Sequence, residues 1–269
     1  MKKYSSLHPS LIERICHEER ESKNPGKAVK TRLHQLYGAY VQPNSNKKAS
    51  ALITQLADMS GTFISCPLKK SLAAEESDSF HKLIIGLLKL HASTSERLPY
   101  YNDFYDFVFS RTGAVNKVLD LGCGYNPFSL PFFPRLPIEY HAVDVDIHTK
   151  DLLNVFFELV HLPKYAKCAD LGTVTPSVEV DLTLMLKLFP VLEANNPGRA
   201  YSLANKLNTN WLVITFPTKS LSGKKKGMAI NYKASFEDAI SKNALSNFNL
   251  SAESSIGNEL IFLLRHDSI

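Results

Sequence analysis

Two glycines, Gly122 and Gly124, end the apolar run Val118-Leu119-Asp120-Leu121, and an acid, Asp144, stands twenty residues beyond Gly124. Glycines so placed let a chain turn sharply off a strand and approach a ligand closely. A carboxylate at the tip of the next strand can then accept both hydroxyls of a ribose. Together these residues read as an adenosine site. A dinucleotide would want a third glycine in G-x-G-x-x-G, so that a helix N terminus can face the pyrophosphate. Here that position is Pro127, whose ring crowds the approach. S-adenosylmethionine carries adenosine without phosphate and needs no third glycine. Asp170-Leu171, at the end of a third strand, offers an acceptor for the adenine amino group.

Other reactive residue types are scattered. The four cysteines (Cys16, Cys66, Cys123, Cys168) form no C-x-x-C pair, so neither a disulfide framework nor a cysteine metal site is expected, and a reducing cytoplasm suits them. The histidines, His91, His141, His148 and His161 among them, lack ligand spacing, and no metal is expected. Lys187 interrupts an apolar strand end, where a lysine is costly unless paired; Glu193, six residues on, is the expected partner.

Charge is uneven. Residues 1–100 hold 15 Lys and Arg against 9 Asp and Glu, whereas the remainder holds 16 against 17, so the excess of +5 sits near the N terminus. Ser22 to Ala57 carries Lys23, Lys27, Lys30, Arg32, Lys47 and Lys48 and no acid. Lys69 and Lys70 follow, and a second acid-free stretch, 219–236, holds Lys219, Lys224, Lys225, Lys226 and Lys233. Two basic islands on an otherwise neutral chain point to a polyanionic partner, though such runs also serve as solvated faces. No membrane association is expected, because the most apolar segment, 182–192, is interrupted by Lys187 and Pro190.

The elements that must position these groups fall into two classes. Before about residue 115 the apolar spacing is helical: Leu11, Ile12 and Ile15 in one segment, Val29, Leu33, Leu36, Tyr37 and Tyr40 in a second, then helices near 48–59 and 80–90. Beyond it, near-continuous apolar runs at 116–121, 140–145, 180–186 and 211–216 suit strands buried on both faces, with helices at 151–160 and 192–207 between them. A strand pair, 248–254 and 259–265, closes the chain around Gly257-Asn258. The expectation is an α/β, Rossmann-like methyltransferase domain (residues 96–269) with a mostly parallel seven-stranded sheet, preceded by an all-helical RNA-docking domain (residues 1–95).

At this level of detail the sequence resembles a known family, the aminoglycoside-resistance methyltransferases that act on N7 of guanine 1405 in the decoding site of 16S ribosomal RNA. The resemblance covers nearly the whole chain. It rests on Leu33-His34-Gln35-Leu36-Tyr37-Gly38-Ala39-Tyr40, on His91-Ala92-Ser93-Thr94-Ser95-Glu96-Arg97 and on Gly122-Cys123-Gly124-Tyr125-Asn126-Pro127-Phe128. It continues through Leu186-Lys187, Leu192-Glu193, Phe216 to Gly223 and Gly227-Met228. The family implies that S-adenosylmethionine is held by the His91–Arg97 element, with Arg97 on the methionine carboxylate, by Gly122 and Asp144, by Asp170 and Leu171, and by Leu186, Lys187 and Asn195, leaving S-adenosylhomocysteine as product. Where Asn195 stands, the family pattern often has Gln. The segment also reads as a surface arginine beside a capping box, Ser93-x-x-Glu96.

Guanine N7 carries a lone pair and no proton, so the implied chemistry is an in-line displacement without a general base. Positioning, assigned to Lys187, Lys219 and Met228, supplies the rate. The target base must be extruded from its helix, a task for the 217–228 segment. Lys27, Lys30, Arg32, Lys69, Lys70, Lys219 and Lys224–Lys226 are the expected RNA contacts, within the 30S subunit and by a cytoplasmic monomer. Two alternatives stay open on the residues alone: a small-molecule methyltransferase whose N-terminal helices merely cover the pocket, and a non-enzymatic RNA-binding protein that has kept the fold.

Overall fold

The computed structural model describes residues 4–38, 40–41, 44–59, 74–218 and 228–267, with the side chains of 74–78 and 228–229 excepted. Seven strands form one sheet: β1 (Lys117–Leu121), β2 (Glu139–Asp144), β3 (Ala166–Cys168), β4 (Glu179–Leu186), β5 (Asn208–Pro217), β6 (Phe248–Ile256) and β7 (Glu259–His266). Their order is β3-β2-β1-β4-β5-β7-β6. Strands β1 to β5 pair in parallel, and the hairpin β6–β7 adds antiparallel to β5. The hairpin turn is Gly257 at φ 57°, a left-handed position that glycine adopts without penalty. Strand order reverses between β1 and β4, and open sheets bind ligands at the C-terminal ends of strands flanking such a point.

Helices cover both faces. On one lie α3 (Ser45–Asp58), α4 (Ala74–Leu88), α6 (Tyr101–Thr112) and α7 (Ile147–Leu159), whose Ile53, Ile84, Phe104 and Phe156 share a core with Val118, Ala142 and Leu184. On the other lie α8 (Phe189–Asn195), α9 (Arg199–Ala204) and α10 (Met228–Ser241), packed with Phe189, Leu203 and Phe236 against Leu119, Leu121 and Ile214. The alternation of Val118 and Leu119 between the two cores follows from the period of two along a strand. The helix expected over 192–207 is two helices, because Gly198 at φ 83° breaks it. Helices α6 and α10 were not expected from the sequence, although Tyr101, Phe104, Tyr105 and Val108 in the one and Tyr232, Phe236 and Ile240 in the other fall at helical spacing.

The N-terminal helices divide. Helices α3 and α4 belong to the sheet's own core, whereas α1 (Pro9–Glu18) and α2 (Pro25–Leu33) build a small cluster of their own from Tyr4, Leu7, Leu11, Ile15, Val29 and Leu33, with Val145 packed against it. Each starts with proline at its first position, behind His8 or Asn24, whose side chain accepts a backbone amide of the first turn. Backbone bonds hold the segment before α1 to the tip of β2: His8 N–H donates to Val145 O at 2.8 Å and Ile147 N–H to Ser6 O at 2.7 Å. Helix α1 therefore starts over the sheet's C-terminal edge. Among the described residues no helix is long and apolar enough to cross a membrane.

Candidate active site

A cleft open to solvent lies over the C-terminal ends of β1, β2 and β4. Its floor is the glycine turn. Gly122 and Gly124 adopt φ 63° and 49°, and a Cβ on either would collide, at 2.8 Å from Leu188 Cδ1 and 2.9 Å from the His91 ring. Both positions thus need glycine for conformation and for space. Gly124 N–H donates to Asp144 Oδ2 at 2.8 Å and Asp146 N–H to Oδ1 at 3.0 Å. Each Asp144 oxygen keeps an acceptor position, the arrangement two neighbouring hydroxyls require. Burial pushes this carboxyl up to about 6, the two amides opposing it. Asp120, one strand over and fully buried, is likewise raised to about 6 by burial, against hydrogen bonds from Asn126 and Tyr140. After the turn, residues 126–132 form a 3₁₀ segment containing Pro127 and Pro131, so the α-helix N terminus that would receive a pyrophosphate is replaced.

Of the residues expected at the cofactor, His91, Ser93, Gly122, Asp144, Asp170, Leu171, Leu186, Lys187 and Asn195 line the cleft together. His91 caps the arrangement between Tyr40 and Tyr125, with ring centroids 6.0 and 5.7 Å away, and burial, reinforced by Arg97 and Lys187, lowers it to about 4. It is neutral at physiological pH. Ala92, Thr94, Ser95, Glu96 and Arg97 lie behind the lining. They form the short helix α5 (Ala92–Arg97), whose N-cap is His91 and not Ser93, so the capping box does not form.

Arg97 is buried, and the carboxylate facing it is Glu259 of β7: Nη2 donates to Glu259 at 2.9 Å and Nη1 to Asn126 Oδ1 at 3.1 Å. Lys187 takes a left-handed conformation, φ 57°, at the end of β4. Its Nζ lies 2.6 Å from Glu96 Oε2 and 3.4 Å from Glu259 Oε1. The expected pairing with Glu193 is corrected: Glu193 instead accepts the Gly198 and Ala200 amides, both at 2.8 Å, at the start of α9. Two cations and two carboxylates thus close on one another beneath the cleft. For Glu259, burial alone would raise the carboxyl, but Arg97 and Lys187 outweigh it and the net direction is down.

Three partners were missed by the sequence reading. Glu259 is one. Arg14 of α1 is another, with Nε 2.7 Å from Asp170 Oδ2. The third is Arg32, expected to contact RNA. Its guanidinium donates to Asn195 Oδ1 at 2.8 Å and Asn195 O at 2.9 Å, and pairs with Glu18 and Glu19. Arg32 thus ties α2 to α8 while its side chain stays 22% exposed. No spacing rule connects residues so distant in the chain. Lys27 and Lys30 are exposed on α2. Lys69, Lys70, Lys219 and Lys224–Lys226 lie outside the described residues, as does the side chain of Met228, which opens α10.

The comparisons with known proteins agree with this geometry. The family model described as Ribosomal RNA methyltransferase (FmrO) matches residues 1–262. The chain belongs to this family. Among curated relatives, a 16S rRNA (guanine(1405)-N(7))-methyltransferase of Serratia marcescens is 33% identical over 98% of this chain and 94% of its own length. One of Proteus mirabilis is 28% identical over 97% and 92%. Among solved structures, the 16S rRNA methyltransferase RmtF in complex with S-adenosyl-L-homocysteine superposes with a TM-score of 0.80 at 28% identity, covering 98% of this chain and 93% of that one. An rRNA methylase from Escherichia coli gives 0.77 at 30%, covering 99% and 95%. The FmrO family assignment places the seven-stranded sheet, with its antiparallel closing hairpin, in a methyltransferase setting and excludes the reading of a fold retained for RNA binding alone.

Proposed function

We propose that this chain methylates N7 of guanine 1405 in the decoding site of 16S rRNA, drawing on S-adenosylmethionine and thereby conferring aminoglycoside resistance. The observation that carries the reading is the Asp144 carboxylate, held open by the Gly124 and Asp146 amides at the tip of β2, in a member of the FmrO family whose relatives bear that activity. The residues present fit the cofactor. Asp144 would take the ribose hydroxyls, Gly122 would give the close backbone approach, and Asp170 with Leu171 would take the adenine. Leu186, Lys187 and Asn195 would line the far side.

When bound, S-adenosylmethionine supplies an electrophilic methyl group on a sulfonium. The chain's own residues have no proton to remove from N7, and their work is orientation: effective molarity for well-aligned groups reaches about 10⁵ M or more. His91, stacked on Tyr40 and tilted against Tyr125, is neutral at physiological pH and shapes the cleft uncharged. Lys187, Lys219 and Met228 are assigned to the substrate side, and the 217–228 segment to holding the extruded base. Arg97 is assigned to the methionine carboxylate, which on this reading shares its guanidinium with Glu259.

Residues 1–95 are assigned to docking folded RNA in the 30S subunit and residues 96–269 to methyl transfer, in a cytoplasmic monomer. The exposed Lys27 and Lys30, with Arg32, Lys69, Lys70, Lys219 and Lys224–Lys226, are the proposed phosphate contacts; Arg32 would act there while also bound to Asn195. The test is methylation of purified 30S subunits, followed by borohydride and aniline cleavage and reverse transcription. A strong stop at guanine 1405 is expected. Modification of free metabolites, or a stop at another nucleotide, would replace this reading.

A further inference from the structure

Asp170 does not enter the cleft alone. Arg14, 156 positions earlier on α1, lays its guanidinium along the carboxylate, Nε to Oδ2 at 2.7 Å and Nη2 to Oδ1 at 3.1 Å. Its remaining nitrogen, Nη1, donates to Glu18 Oε1 at 3.0 Å, which fixes the plane of the fork. Gly172 completes the setting. Its amide donates to Oδ1 at 2.9 Å, and its missing side chain makes the room, since a Cβ there would fall 2.6 Å from Arg14 Nη2. Arg14, Asp170 and Gly172 all line the cleft, and Asp170 is buried.

A carboxylate has about four acceptor positions. Arg14 Nη2 and the Gly172 amide occupy Oδ1, and Arg14 Nε occupies half of Oδ2. One position remains, on Oδ2. We infer that Arg14 is a positioning residue for cofactor selection: it leaves Asp170 a single acceptor of fixed direction, suited to one exocyclic amino group. This rests on the assignment of Asp170 to the adenine made above. Two observations favour orientation over simple tethering. The contact is a planar, bidentate fork, which fixes a carboxylate's direction as a lysine cannot. Helix α1 is also already held by the backbone bonds at Val145 and Ile147, and α2 by Arg32 on Asn195, so a further tether adds little.

The experiment measures binding of S-adenosylhomocysteine and of its 6-oxo analogue, in which the amino donor becomes a carbonyl oxygen. Wild-type protein, Arg14→Lys and Arg14→Ala are compared by calorimetry, with thermal midpoints recorded. Wild type should prefer the amino form by at least about tenfold, the worth of one hydrogen bond to a charged group. Arg14→Ala should bring that preference close to unity, with the loss in turnover falling on the cofactor KM and not on kcat. Arg14→Lys should lie between, and it carries the test if Arg14→Ala does not fold. A variant that binds both ligands more weakly but keeps the full preference would overturn the inference, leaving Arg14 a tether. Absence of any preference in the wild type would show instead that Asp170 does not read the amino group, and the assignment beneath the inference would fall with it.

Discussion

The two ends of the cleft are built on opposite principles. At the β2 end, Asp144 faces backbone amides and keeps free acceptor positions. Beneath the other end, Arg97, Glu259, Lys187 and Glu96 are ion-paired with one another, although Arg97 Nε and Glu259 Oε1 are buried without a hydrogen-bond partner. The first arrangement is suited to a ligand, because its unused lone pairs need donors. The second is held first by its own pairing, because a buried charge without its partner is costly, and any ligand there must share those cations. The difference also shows in titration: burial dominates Asp144 and drives it up, whereas paired cations dominate Glu259 and drive it down.

The largest effect should come from breaking the closed network. Glu259→Gln leaves Arg97 buried without its carboxylate and should cost about 3–5 kcal/mol in urea denaturation. A cost under about 1 kcal/mol would mean that this end is not held by charge, and the contrast would dissolve. Next, Asp144→Ala removes two charge-assisted acceptors and should weaken S-adenosylhomocysteine binding about 100-fold by calorimetry, with little loss of stability. The comparison sharpens in acid. The free Asp144 carboxyl titrates about 6, and only its ionised form accepts both hydroxyls, so cofactor affinity should hold above pH 6 and fall below it. Stability from Glu259 runs differently. Its folded value lies below the ordinary 4.5, so its contribution is present above 4.5 and is lost as pH drops through the folded value, below the range where binding has already weakened. Last and smallest, Lys27→Glu with Lys30→Glu should weaken association with 30S subunits and flatten its salt dependence, while cofactor affinity stays as in the wild type.

Helices α1 and α2 set against α3 and α4 teach a related point. Both pairs show helical apolar spacing in the sequence, and nothing in that spacing separates them. Ile53 and Ile84 nevertheless enter the sheet's core, while Leu11 and Val29 keep to a small cluster over the cleft. Burial patterns state that a face is covered, not what covers it.

What the sequence alone determined is the chemistry carried by neighbours in the chain. Asp120, Gly122, Gly124 and Asp144 are legible because a strand, a turn and the next strand fix their relation within a short span, and both backbone conformation and space at Gly122 and Gly124 favour glycine. The near-continuous apolar strands, the closing hairpin at Gly257 and the absence of a third glycine at Pro127 are local in the same sense. Tertiary structure decided the partners of charges. Lys187 chose Glu96 over the nearer Glu193, Arg97 met Glu259, Arg14 met Asp170 and Arg32 met Asn195. Side-chain ion pairs form between whichever groups folding brings within a few ångströms, and here Lys187 with Glu96 and Arg97 with Glu259 meet across 91 and 162 positions of chain.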